Sequence, residues 1–141
     1  MLAYLDSSIL LRVLFREASQ LSQFADITDA VSSDLLRVEC LRTLDRIRIE
    51  KRLTEDSYLA KVEALYPFLE RMELIPIGRE ILNRASQPFP TKLGSLDAIH
   101  LASAILYRER KGPLLQLCTH DRALARAALA NGFKVHGVDA S

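Results

Sequence analysis

Residues 2–15 read LAYLDSSILLRVLF, a short apolar run that ends in an aspartate and two serines before a second apolar run begins. The first run predicts a buried strand, and the Asp-Ser-Ser that follows predicts a helix cap, with Ser8 opening the helix. The same order recurs where the strand-like LLQLCT at 114–119 precedes the helical HDRALARAALANG at 120–132, which Gly132 closes. A strand followed directly by a helix is therefore the repeating unit of this chain.

Further strands and helices are predicted between and after these two units. Short apolar runs predict strands at 30–33, 72–77 and 133–138. Helical patterns and caps predict helices at 19–27, at 34–52, from a Thr54 cap to near Pro67, at 78–85, and from a Ser95 cap to residue 111. Short apolar strands that alternate with helices imply a parallel sheet covered on both faces. We therefore expect an α/β fold of three layers, and a single domain over residues 1–141, since no linker or repeat divides the chain.

Composition narrows the class of protein. The chain has 141 residues, of which 49% are apolar and 26% charged, as in soluble globular proteins rather than disordered or fibrous ones. It shows neither an apolar run of roughly 20 residues nor the features of a signal peptide, so we expect a cytoplasmic protein without membrane contact. Cys40 and Cys118 lie among apolar residues without the spacing of a zinc site, which predicts buried thiols. The net charge of +1 does not support nucleic-acid binding, so any case for RNA depends on a specific site.

Four acidic residues stand where a parallel sheet places its functional groups. Asp6 ends the first strand, Asp121 follows the strand at 114–119, Asp97 lies in the first turn of a predicted helix, and Glu39 lies about one turn into another. The crevice of an open parallel sheet lies beyond the carboxyl ends of its strands, where helices begin. The four carboxylates are therefore able to meet at one edge of the sheet.

Each of these acids has an alternative role when it is taken alone. Asp6, Asp97 and Asp121 each suit a helix N-terminus, where a carboxylate accepts backbone N–H bonds, and Glu39 suits a solvated helix surface. Together, however, unpaired carboxylates repel one another, which a fold tolerates when a divalent cation holds them. Oxygen ligands favour Mg²⁺ or Mn²⁺ over zinc.

Two histidines stand near these acids in the sequence. His100 follows Asp97 by three positions inside the apolar run AIHLASAIL, so it is predicted to be a hydrogen-bonded, partly buried residue rather than a metal ligand. His120 precedes Asp121 and is predicted to be more exposed. For His120, contact with a substrate and no role at all both remain open.

Four segments of the chain resemble the motifs of a known family. LDSSILL, RVECLRTL, LDAIHLASA and LCTHDRALARAA, in this order and spacing, resemble PIN-domain proteins, and specifically the short VapC toxins of bacteria and archaea. The resemblance covers nearly the whole chain, and it depends on the ordered set, because DSS or TxD alone is common. It implies a sheet of five parallel strands flanked by helices, with an acidic pocket that binds Mg²⁺ or Mn²⁺ and hydrolyses RNA phosphodiester bonds.

The resemblance also assigns roles to residues. It implies that the four acids are catalytic, that Asp6, Asp97 and Asp121 hold the cation, and that Glu39 or Asp6 orients or deprotonates a water. The position of Asp121 varies within the family. Ser8 and Thr119 are candidates for orienting carboxylates or water, and four arginines are candidates for phosphate contacts: Arg12, Arg16, Arg42 and Arg46. One ion and two ions both remain open, as do transfer, ribosomal and messenger RNA as the target.

Two partners besides RNA are expected. The resemblance implies a neutralising antitoxin protein, which would lay an amphipathic segment into a groove of the toxin, and a homodimer of twofold symmetry. Leucines on the predicted helices at 8–16 and 34–52 exceed what one face of a small core needs, and are candidates for that groove: Leu10, Leu11, Leu14, Leu41 and Leu44.

Other readings of a strand followed by an aspartate fit less well. A phosphoaspartyl enzyme of the haloacid-dehalogenase type needs a second aspartate two positions after Asp6, where this chain has Ser8. A receiver domain needs a phospho-accepting aspartate after a central strand and a later lysine, which neither AVSSD nor ELIPIG supplies. A non-catalytic PIN-like protein that binds RNA or a partner is the remaining alternative, and loss of one of the four acids would be its signature.

Overall fold

The computed structural model describes residues 1–139, and within them the chain alternates strands and helices as the sequence predicts. The strands are β1 (Leu2–Leu5), β2 (Asp29–Ser33), β3 (Glu73–Ile75), β4 (Gln116–Cys118) and β5 (Val135–His136). The helices are α1 (Ser7–Leu14), α2 (Leu35–Ile49), α3 (Glu55–Arg71), α4 (Arg79–Ala85), α5 (Ser95–Arg110) and α6 (Arg122–Ala130).

The five strands form one parallel sheet in the order β3-β2-β1-β4-β5, which confirms the expected α/β fold. The chain builds outward from β1 to β2 and β3, and then returns to the other side of β1 to add β4 and β5. The boundary between β1 and β4, where Leu5 pairs with Cys118, is therefore the point at which the winding direction reverses. Ligands of open α/β sheets bind at such a point, beyond the carboxyl ends of the strands.

Helices cover both faces of the sheet, so the expected three layers are confirmed. Because successive strand residues point to opposite faces, Tyr4 packs with α5 and α6 on one face, whereas Ala3 and Leu5 pack with α1 on the other. A second cluster on the α1 side joins α1, α2 and α3. Cys40 and Cys118 are buried free thiols, as predicted, and burial raises the pKa of each to about 12.

Several predicted helix boundaries were wrong. The predicted helix at 19–27 is reduced to a single 3-10 turn, Phe24–Asp26, because so short a segment needs packing along one apolar stripe to be helical. The helix α3 runs through Pro67 to Arg71, since Leu65 and Leu69 are buried on either side of the proline and hold the segment in place. The helix α5 is preceded by Gly94 at its N-cap, so Ser95 is its first residue and not its cap. Thr54 does cap α3, because its hydroxyl accepts a hydrogen bond from the Ser57 N–H.

Three of the five leucines predicted to line a groove for an antitoxin are instead core residues. Leu10 and Leu44 are 0% exposed and Leu14 is 7% exposed. Leu11 and Leu41 are partly buried and pack against the cluster that joins α1, α2 and α3. Three helices meet there, so this small fold uses more leucine than one helix face suggests.

None of the helices within residues 1–139 combines the length and the apolar character needed to cross a membrane.

Candidate active site

The carboxylate of Asp6 lies at the winding reversal between β1 and β4. It is only 5% exposed, and the Asp6 backbone N–H donates to the Cys118 carbonyl (3.4 Å). Its two oxygens accept hydrogen bonds from the hydroxyls of Ser8 (2.5 Å) and Thr119 (2.7 Å). Asp6 occupies the N-cap position of α1 but makes no capping hydrogen bond, so its alternative role as a cap is wrong.

The two hydroxyls that hold Asp6 also fix the loop after β4. Thr119 Oγ1 accepts a hydrogen bond from the Asp121 N–H (2.9 Å), and Ser8 Oγ accepts one from the His120 N–H (2.9 Å). Each hydroxyl thus donates to a carboxylate oxygen and accepts from a backbone amide, so its proton direction is set. The Asp6 carboxylate and the loop of residues 119–121 form one hydrogen-bonded unit.

Gly137, the residue after β5, supports the same loop from its other side. A Cβ at Gly137 would lie 2.3 Å from the Thr119 carbonyl oxygen, and Gly137 has a φ of 109°, so only glycine suits this position. The Gly137 carbonyl accepts a hydrogen bond from His120 Nδ1 (2.6 Å). The His120 ring is therefore partly buried and used to join β5 to the loop; its contact with a substrate stays a prediction.

Asp97 lies in the first turn of α5, half-buried and facing the other acids. The pKa of Asp97 is raised to about 6, first by burial and then by the charges of Asp121, Asp6 and Glu39 in that order, while His100 opposes the rise. Burial also raises the pKa of Asp6, and Glu39 adds to that rise, while the Ser8 and Thr119 hydrogen bonds lower it. The four predicted acids therefore share one electrostatic environment.

Asp121 has the alternative role that the sequence left open. It is the N-cap of α6, where its Oδ1 accepts a hydrogen bond from the Leu124 N–H (2.8 Å). The side chain is exposed, and Oδ2 is not part of the cap. Asp121 is thus a helix cap and a charge beside Asp97 at the same time.

Glu39 reaches the site from α2 and is held by a buried histidine. His100 Nε2 contacts Glu39 Oε1, and His100 Nδ1 lies 2.7 Å from the Tyr4 hydroxyl. His100 is 1% exposed and the Glu39 side chain 18% exposed, so the carboxylate points outward from a buried support. The prediction that His100 is a hydrogen-bonded residue is confirmed, and it is more deeply buried than predicted.

The donor set suits a hard divalent cation. The candidates are carboxylate oxygens, with two hydroxyls beside them, and both nitrogens of His100 are already engaged. Among residues 1–139, no three side chains of His, Cys, Asp or Glu lie close enough together, as placed, to form a complete ion site. The chemistry of the donors therefore fits Mg²⁺ or Mn²⁺, although their present positions do not form a ready cage.

Three of the four predicted phosphate-binding arginines have acidic partners on their own helices or close to them. Arg12 pairs with Glu17 (3.6 Å) and Arg46 with Glu50 (3.5 Å). Arg42 pairs with Asp45, and Arg16 is exposed just after α1. Their contact with phosphate stays a prediction.

Tyr4 is the residue of this site that the sequence did not reveal. It lies within the apolar run of β1, where its ring fills the core, and nothing in that run distinguishes its hydroxyl. The spacing of Asp97 and His100 did carry a signal, because residues three apart lie on the same face of a helix. That spacing placed the imidazole one turn from the cluster.

Comparison with known proteins gives matches along almost the whole chain. The PIN domain family matches residues 3–129. Ribonuclease VapC46 of Mycobacterium tuberculosis (strain ATCC 25618 / H37Rv) is 33% identical over 136 residues, which cover 94% of each chain. Ribonuclease VapC47 of the same species (strain CDC 1551 / Oshkosh) is 28% identical over 137 residues, which cover 92% of each chain.

Solved structures are similar in fold. A toxin-antitoxin complex from Klebsiella pneumoniae matches with a TM-score of 0.63 and 18% identity, over 97% of this chain and 95% of that chain. The crystal structure of PAE2754 from Pyrobaculum aerophilum matches with a TM-score of 0.59 and 19% identity, over 96% and 83%. At these identities the likeness concerns the fold alone.

Proposed function

This chain belongs to the PIN-domain family, within its group of VapC ribonucleases, and from that membership we propose that it is an endoribonuclease that acts as the toxin of a toxin-antitoxin pair. It hydrolyses RNA phosphodiester bonds in the cytoplasm, and residues 1–141 act as one PIN domain. The observation that carries the proposal is the convergence of four carboxylates at the carboxyl edge of the sheet, where the pKa of Asp97 is raised first by burial and then by the charges of the other three. That edge lies at the winding reversal, where α/β folds bind their ligands.

We propose that Asp6, Glu39, Asp97 and Asp121 are the catalytic residues, and that Asp6, Asp97 and Asp121 hold the cation, Mg²⁺ or Mn²⁺. Nucleases of this family generally need a divalent metal, and such a cation supplies positive charge that stabilises the phosphoryl oxygens and makes water more acidic. Asp6 is the most fixed member of the set, because Ser8 and Thr119 hold both of its oxygens in one orientation.

The other site residues have separate proposed roles. Glu39 orients the attacking water and accepts its proton at Oε2, since Oε1 is occupied by His100. Asp121 keeps Oδ1 on the α6 cap, so Oδ2 is the oxygen that would be left to hold the cation. Thr119 and Ser8 keep the Asp6 carboxylate from rotating, which preserves the geometry of the site between turnovers.

Cleavage of RNA that requires a divalent cation is the expected result for the purified protein. Total RNA incubated with the protein and Mg²⁺ or Mn²⁺ should yield new 5′ ends, and excess EDTA should abolish them, because without the cation the negative carboxylates repel the phosphoryl oxygens. Readdition of Mn²⁺ should restore cleavage. Cleavage that continues at the same rate in EDTA would contradict the proposal.

We also propose an antitoxin partner and a homodimer. The relatives named VapC and the toxin-antitoxin complex with the same fold support the antitoxin. Leu10, Leu14 and Leu44 are buried and not available to a partner, so the groove that we expected from the full set of five leucines is not proposed again. Coexpression with the product of an adjacent small gene should give a complex that elutes together and no longer cuts RNA; a toxin that stays alone and active in that experiment would refute the pairing.

The alternative of a non-catalytic PIN-like binding protein has less support. All four acids are present, and the most buried one is held by hydroxyls rather than used as a cap. The same contacts argue against a phosphoaspartyl enzyme, because Ser8 stands where that chemistry needs an acid and donates a hydrogen bond to Asp6.

A further inference from the structure

His100 is a buried imidazole that the proposed reaction does not use directly. It is 1% exposed, and both of its ring nitrogens have partners, Tyr4 at Nδ1 and Glu39 at Nε2. The Tyr4 and His100 rings also pack edge to face, with centroids 5.7 Å apart. A buried polar ring needs hydrogen-bond partners in any case. Here one partner, Glu39, belongs to the candidate active site, which suggests a role for His100 in that site as well.

We propose that His100 is a positioning residue, supported by Tyr4, that sets the orientation of the Glu39 carboxylate for the water-activating step. The proposal rests on the proposed nuclease function and extends it to residues outside the acidic cluster. A carboxylate only accepts hydrogen bonds, so the proton on Nε2 points at Glu39 in either charge state of the ring. The imidazole therefore holds Oε1 and leaves Oε2 for the water.

Three elements of the fold meet in this contact. Tyr4 lies in β1 two positions before Asp6, His100 lies one turn after Asp97 on α5, and Glu39 lies on α2. The chain Tyr4–His100–Glu39 thus connects the carboxylate on α2 to the two elements that carry Asp6 and Asp97.

Glu39 depends on this support. Across the described residues 1–139, His100 is its one side-chain hydrogen-bond or ion-pair partner. A glutamate side chain has three rotatable bonds, and without the imidazole it would sample other rotamers at the surface. Asp6 differs, because it is fixed by two hydroxyls that do not involve His100.

The test uses two amide variants of similar size. In His100→Gln the amide nitrogen takes the place of Nε2 and still donates to Glu39, whereas in His100→Asn the amide reaches only as far as Nδ1 and loses that contact. We expect His100→Asn to lower kcat about 10- to 100-fold with little change in KM, and His100→Gln to restore most of the loss. In a Glu39→Gln background, His100→Asn should cause little further loss of kcat, because His100 acts only through Glu39.

Equal activity of wild type and a folded His100→Asn variant would overturn the proposal, as would equal losses in the Asn and Gln variants. Labelled total RNA with Mn²⁺ serves as the substrate, and thermal melts verify that each variant is folded. Wild type that cuts no RNA would instead refute the proposed function.

A second measurement tests the hydrogen bond between His100 and Glu39 without depending on nuclease activity. In ¹⁵N spectra of the metal-free protein, Glu39→Gln should shift the His100 Nε2 resonance, because its acceptor changes from a carboxylate to an amide. The chain has three histidines, so His120 and His136 serve as internal controls that should not shift. A His100 resonance unchanged by Glu39→Gln would refute the positioning role.

Discussion

Replacing Asp6 with asparagine should lower RNA cleavage by about 100-fold or more while the protein remains folded. Charge stabilisation at a metal site contributes several kcal/mol to the transition state, and each 1.36 kcal/mol corresponds to a factor of ten in rate. Asparagine has the same shape as aspartate; its amide oxygen can still accept from one of the Ser8 and Thr119 hydroxyls, and its NH2 can donate to a lone pair of the other. The loss should therefore come from the missing charge and not from unfolding.

The melting temperature of the Asp6→Asn variant gives a second, independent test of its role. Burial raises the pKa of Asp6, which means that the folded protein disfavours the charged form of this carboxyl group. Metal-free Asp6→Asn should thus melt at the same temperature as wild type or higher. Asp56→Asn, in the first turn of α3, is the matched control and should leave cleavage unchanged. An active Asp6→Asn variant would rule out the assignment of this residue.

Much of the fold was predictable because strands and helices have different periods and different boundaries. LAYL and LLQLCT are too short for helices, and polar residues mark the end of each at the sheet edge, which predicts where Asp6 and Asp121 lie. The central position of β1 follows from its continuous apolar character, since parallel strands are buried on both faces. The predicted meeting of the acids at one edge follows from this topology.

The details that the sequence did not reveal depend on packing between distant residues. Whether Pro67 ends a helix depends on what Leu65 and Leu69 pack against, and a local pattern does not include that. The contact between His100 and Glu39 joins residues 61 positions apart, and its existence depends on how α2 and α5 are placed on the sheet. Local rules therefore find the carboxylates but miss what holds them.

Asp97→Asn should remove a pH dependence from the stability of the metal-free protein. The pKa of Asp97 is raised from 3.8 to about 6 in the folded protein, mainly by burial and then by Asp121, Asp6 and Glu39. Between these two pKa values the folded Asp97 binds more proton than the unfolded one, so the contribution of Asp97 to stability is greatest below about pH 4, falls as pH rises to about 6, and then levels off. The variant lacks this titration and should show a flatter profile over the same range.

The size of the effect follows from the shift and the exposure of the side chain. A shift of about two pKa units corresponds to at most ~3 kcal/mol, and solvent screening of the half-buried Asp97 reduces this to about 1–2 kcal/mol. At pH 7 in EDTA, Asp97→Asn should therefore be more stable than wild type by that amount in urea titrations. Asp56→Asn is the matched control: the side chain is exposed in the first turn of α3 and is not among the charges that raise the Asp97 pKa, so its effect should be much smaller.

Adding Mg²⁺ or Mn²⁺ should reverse the order of stability, so that wild type becomes more stable than Asp97→Asn. A ligand that binds only the folded state contributes RT ln(1 + [L]/Kd), and the carboxylate that costs stability without the cation is the one that gains from it. The free energy of unfolding of wild type should thus rise with cation concentration, while that of Asp97→Asn should rise less or stay constant. Parallel rises in both proteins would place the cation away from Asp97, and a wild-type profile without slope between pH 4 and 6 would remove Asp97 from the shared cluster.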